Sequence, residues 1–145
     1  MKVLIKNKFL IEAQNFLQDL KLKGAESRAR TKFSELLDRA IESYAQSELA
    51  LAKEYAILDD NGEIKYGENY LFDLRPGTAP EYHLEIEKLH NEEAEIEGGT
   101  YATHLETMLK ILNECDVEMS GSTATLYDML CEAFEKAVEK GGEKA

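Results

Sequence analysis

The sequence has little of what usually announces chemistry. It holds only two cysteines in 145 residues, Cys115 and Cys131, and no C-x-x-C, so neither a disulfide framework nor a redox motif is written into it. Both fall in segments that read as helical, where buried free thiols are expected. No apolar run approaches the roughly 18 residues that a membrane span requires, and no contact with a membrane is expected. Lys6 and Lys8 interrupt MKVLIKNKFLIEAQ where a signal peptide needs its apolar core, which points to a cytoplasmic protein. The phosphate-cradling patterns G-x-x-x-x-G-K-[ST] and G-x-G-x-x-G are missing, as is the nucleophile pattern G-x-S-x-G. No internal repeat or low-complexity tract appears. With no organised catalytic set and no cofactor signature, a non-enzymatic protein without catalytic residues or cofactors is expected.

What the chain does have is acid. Asp and Glu number 29 against 17 Lys and Arg, for a formal net charge of -12, in a chain that is 43% hydrophobic. That apolar content rules out disorder, and the length suits one core. A single domain over residues 1–140 is expected, followed by a frayed tail at 141–145. The charge is uneven: residues 2–32 carry eight Lys/Arg against three Asp/Glu, and the rest carries nine against twenty-six. So acidic a chain repels phosphates, which argues against general nucleic-acid binding and favours self-association as a homodimer, a basic partner, or simple solubility.

Hydrophobic periodicity supplies the elements. KVLIK (residues 2–6) alternates as a strand, and Asn7 is placed to cap a helix over 8–22. Gly24 ends that helix and permits a reversal into a long one, 25–56, with no Gly or Pro inside. Asn61-Gly62 between two short runs predicts a β-hairpin. Thr78, Pro80 and Glu81 open a helix to about residue 92 that buries Tyr82, Ile86 and Leu89. Residues 92–97 alternate as an edge strand, and Gly98-Gly99 separates them from a helix opened by Thr103 and Glu106. DVEMS (116–120) predicts a third strand, and Ser122 or Thr123 caps the last helix. The sum is an α+β fold, mostly helical: an N-terminal helical hairpin with a long second helix, a small sheet of short strands and a projecting β-hairpin.

Three groups of residues are candidate sites. Lys21, Lys23, Arg28, Arg30 and Lys32 form a basic stretch in an acidic chain. Cations near a helix N-terminus oppose its dipole at about 0.3–1 kcal/mol each, so a partner is expected: carboxylates of the same chain or a second copy, or an external anion or acidic protein surface. Tyr66, Tyr70 and Phe72 cluster in a turn-rich segment that either packs against the long helix or forms a protein-binding edge. His83, Glu87 and His90 share one side of a predicted helix at a spacing that bundle metal sites use. A single such motif lacks the facing ligands, and no bound metal is expected.

The layout IKNKFLIEAQNFLQDLKLKGAESRARTKFSELL, with THLETMLKILN and VEMSGSTATLYDML downstream, resembles an uncharacterised family of small proteins encoded by phages and prophages of Gram-positive bacteria. The resemblance implies an origin among phage late genes near tail and lysis functions, and carries no catalytic residue with it. The function expected is that of a phage or prophage accessory protein that binds a phage or host protein, in particle assembly or host takeover. It would act in the host cytoplasm or in association with the virion. An acidic nucleic-acid mimic inhibiting a host defence or replication enzyme is the alternative; a small metal-dependent enzyme is the third.

Overall fold

A computed structural model describes residues 2–97 and 103–143. Among them are five α-helices and one two-stranded antiparallel sheet, an α+β architecture that is mostly helical. The chain divides into two units, one built from Met1–Ile41 with Glu93–Ala145, the other from Glu42–Glu92.

In the first unit the alternation of KVLIK does what period 2 dictates: Val3 and Ile5 are fully buried and Lys2, Leu4 and Lys6 face the other way. This strand, β1 (Lys2–Lys6), pairs antiparallel with β2 (Glu93–Glu97), setting Lys2 opposite Glu97, Leu4 opposite Glu95 and Lys6 opposite Glu93. Lys2 Nζ lies 3.2 Å from Glu95 Oε2 and 3.5 Å from Glu97 Oε1. Exposed pairs of this kind contribute about 0–1 kcal/mol, but the match of basic strand to acidic strand helps fix the register.

Behind the sheet the helices supply stripes at helical spacing. A 3₁₀ turn (Asn7–Phe9) leads into α1 (Leu10–Asp19), which buries Leu10, Ala13 and Leu17. The long α2 (Gly24–Tyr55) contributes Ala29, Phe33 and Leu37 to this unit. From α4 (Thr103–Asn113) come Leu105, Met108, Ile111 and Leu112, and from α5 (Gly121–Glu143) Leu126, Leu130, Phe134 and Ala137. Phe33 and Phe134 meet with ring centroids 4.8 Å apart. The Tyr127 hydroxyl donates to the Leu112 carbonyl, tying α5 to α4, and burial pushes its phenol up to about 12.

The second unit contains the last part of α2, the loop that follows, and α3 (Ala79–Asn91). Its buried apolar residues are Ala52, Ala56 and Ile64, with Phe72 packed against them. Three isolated antiparallel bridges zip the loop: Ala56 with Leu74, Leu58 with Ile64, and Tyr66 with Phe72.

Several expectations need correcting. The helix placed at 8–22 is shorter, because its start is a 3₁₀ turn and its end yields at Leu20 to extended backbone. DVEMS is irregular and β1 pairs with β2 alone, so the sheet has two strands. The hairpin at Asn61-Gly62 is reduced to the Leu58–Ile64 bridge. Only Gly62 takes positive φ (80°), and the Asp59 carboxylate holds the turn by accepting from the Asn61 and Glu63 amides. Thr78 is not a side-chain cap, since its hydroxyl donates to the Arg75 carbonyl instead, and Tyr82, Ile86 and Leu89 are only half-buried. A frayed tail is expected from residue 141, but α5 runs through Gly141 and Gly142 to Glu143, and residues 144–145 lie outside the described residues. The Gly98-Gly99 break and the side chain of Thr103 lie outside the described residues.

Candidate functional site

The basic stretch is split between scaffold and surface. Because α2 begins at Gly24, its first turn carries Glu26, the sign the dipole favours, and Arg28, Arg30 and Lys32 sit beyond that turn. The dipole falls off within one turn, so the opposition expected from sequence is largely removed. Arg30 turns back onto α1. Its guanidinium donates to the carbonyls of Leu17, at 3.2 Å, and Leu20 at the end of α1, adding to the bond that the Leu17 carbonyl already accepts from the Leu20 amide. The expected carboxylate partner is thereby replaced by backbone carbonyls, which a cation suits because a helix C-terminus is its negative pole. Gln14 and Gln18 add the Ser34 hydroxyl and carbonyl and the Asp38 carboxylate to the same α1–α2 seam. Lys32 lies 3.9 Å from Glu35 on the same helix, a weak exposed pair. Lys21 and Lys23 are exposed in the link, with no ion-pair partner among the described residues, and Arg28 is on the exposed side of α2. What sequence reasoning grouped as one site is one helix clamp plus scattered surface charge.

The aromatic segment holds together better. Tyr66 and Phe72 face each other across their bridge with ring centroids 6.2 Å apart, and Phe72 continues to Tyr82 at 6.4 Å and Tyr82 to Tyr55 at 5.7 Å. Tyr70 stands edge-on to Tyr66 at 6.3 Å. The row therefore runs from half-buried Phe72 to an open end, with Tyr66 50%, Tyr70 86% and Leu71 70% exposed. The segment is divided: Phe72 packs inward and Tyr70 stands open to solvent. The tip is closed by the Gly67 amide donating to the Leu71 carbonyl at 2.7 Å, and Asn69 and Tyr70 both take left-handed φ (58° and 59°). Two successive non-glycine residues in that region store strain, of a kind that concentrates at functional loops. Nothing in the sequence marks it beyond a turn-rich composition.

His83, Glu87 and His90 are not brought together as ligands. His83 and Glu87 are exposed, whereas His90 turns its Nε2 to Glu48 Oε2 at 3.4 Å and meets the Tyr44 ring edge-on. No group of three His, Cys, Asp or Glu among the described residues is placed to hold a metal ion. Cys115 and Cys131 are free and half-buried instead of fully buried, and burial raises the Cys131 thiol above its ordinary range, which keeps it protonated at neutral pH. In the first unit a groove of about 430 Å³ runs between the outer face of β1 and α5, floored by Leu4, Phe9, Met129 and Ala133 and rimmed by lysines and glutamates. Mixed charge on that rim selects no ligand class.

Residues 1–143 match the family described as Protein of unknown function (DUF1617), and the chain belongs to that family. Neither the curated proteins nor the solved structures offer a match. No helix among the described residues is long and apolar enough to cross a membrane.

Proposed function

We propose that this family member is a non-enzymatic accessory protein of a phage or prophage that acts by binding another protein, in particle assembly or in host takeover. One observation carries the reading. In the unit Glu42–Glu92, Leu49, Ile57, Leu58, Tyr66, Tyr70, Leu71 and Leu84 are exposed while only Ala52, Ala56 and Ile64 are buried. Apolar surface set among charges is what a protein interface leaves open in the absence of its partner. The phage origin rests on the resemblance of the N-terminal and C-terminal segments, and the site of action is then the host cytoplasm or the virion. Affinity purification of the tagged chain from infected or induced host cells tests it. Recovery of tail or capsid proteins supports assembly; recovery of no protein, together with turnover of a small molecule, overturns the reading.

A second reading is favoured by charge. The same unit holds twelve Asp/Glu against four Lys/Arg, -8 of the chain's -12 in about a third of its length. An inhibitor that fills a nucleic-acid groove needs acid gathered in this way. Capture of a nuclease or polymerase whose binding is competed by DNA would select it over assembly.

A further inference from the structure

We propose that the loop tip of residues 66–72 is a preformed docking point for a basic segment of the partner protein, with Tyr66, Tyr70 and Leu71 as its contact residues. This rests on the protein-binding reading above and gives that reading a site and a chemistry.

Three observations converge on the tip. The first is exposure: Tyr70 and Leu71 are the most open of the exposed large hydrophobic side chains, and they are consecutive. The second is rigidity. The Tyr66–Phe72 bridge, the Gly67–Leu71 hydrogen bond and the row of rings leading to Tyr82 hold the tip in one conformation, with Asn69 and Tyr70 kept at positive φ. A contact loop fixed before binding loses less entropy on association, and an aromatic side chain offers large contact area for few rotatable bonds.

The third is charge, which decides the occupant. Residues 57–75 carry Asp59, Asp60, Glu63, Glu68 and Asp73, all exposed, against Lys65 and Arg75. Such a field draws Lys and Arg, and the open face of Tyr70 adds a cation–π contact for either. Nucleic acid and anionic lipid headgroups are repelled by the same field. A second copy at this tip would set one -8 unit against another. The segment that fits is therefore basic, with an apolar residue to cover Leu71.

The test uses the intact chain, immobilised and selected against a displayed library of random peptides, in parallel with the Tyr70→Ser/Leu71→Ser variant. Both substitutions are at exposed positions, and an unchanged melting temperature establishes that the variant folds. Selected peptides should be enriched in Lys and Arg around an apolar residue, weaken as salt is raised, and bind the variant roughly tenfold or more less tightly. A Glu68→Lys/Asp73→Lys variant should lose the preference for basic peptides. Enrichment of acidic or uncharged sequences, equal binding to the Ser variant, or no enrichment at all overturns the docking point. If a protein captured from cells binds wild type and Ser variant equally, the tip fails while the protein-binding reading stands. If no protein is captured, that reading fails by itself.

Discussion

Among the described residues, the unit of Met1–Ile41 and Glu93–Ala145 buries eighteen hydrophobic residues and exposes three large ones, whereas the unit of Glu42–Glu92 buries three and exposes seven. Charge follows the same division, since the smaller unit holds -8 of the net -12. The first unit is held by the ordinary means, apolar side chains buried from the sheet and from four helices, with Phe33 against Phe134 among them. The second relies on backbone. Its three bridges, the Asp59 turn and the Lys53–Glu63 pair at 2.9 Å arrange a loop that has few apolar groups to bury. The contrast teaches that one chain can bury its apolar side chains in one stretch and leave them open in another, so that damage to each should read out differently.

The largest expected effect tests the first unit. Phe134→Ala removes a fully buried ring and should cost about 3–5 kcal/mol, measured by chemical denaturation. Hydrogen exchange should quicken most at β1, β2, α4 and α5; equal quickening at residues 56–75 would break the comparison. Ile64→Ala deletes the one large side chain buried in the second unit, for about 2 kcal/mol, because a thin core relaxes around the loss. Limited proteolysis should then cut within 56–75 while the first unit keeps its protection. Arg30→Leu leaves the Leu17 and Leu20 carbonyls without their cation and should cost about 1.5 kcal/mol, with Arg30→Lys recovering part of it. The smallest effect is on the pH axis. Tyr127 is raised above the ordinary value of 10.0, so its neutral form is the one the fold favours; its contribution is complete below about pH 10 and is lost as pH rises through about 12. In an alkaline absorbance titration, Tyr127→Phe should remove a phenol that titrates near 12.

Which parts were legible follows from the range of the forces involved. The strand at Lys2–Lys6 shows in sequence because its alternation is sharp, and α2 because its stripe continues for nine turns without a breaker. Leu105, Met108 and Leu112, with Leu126, Leu130 and Phe134, could be assigned to the core because each sits at i, i+3 or i+4 from the next. DVEMS misled because an alternation of five residues becomes a strand only when a neighbour offers hydrogen bonds, and β1 pairs with β2 instead. Arg30 misled for a related reason: its partners are carbonyls, which carry no residue identity for a reader to match. The tip at Tyr70 was visible as composition, but its exposure and its positive φ are set by the bridge between Tyr66 and Phe72, which no local rule encodes.

The pairing of β1 with β2 sets a timetable for the ribosome. Lys2 and Glu93 are 91 residues apart, so at about 5–20 residues per second the first strand waits roughly 5–20 seconds for the second to be synthesised. The whole of Glu42–Glu92 is made during that interval. Throughout it VLI is an unpaired apolar strand, the kind of segment that seeks edges on neighbouring chains. Lys2 and Lys6 flank it on both sides, and before they meet Glu95 and Glu97 or face Glu93 their like charges discourage two nascent copies from zipping together. The residues that later help fix register would thus first serve as gatekeepers against aggregation.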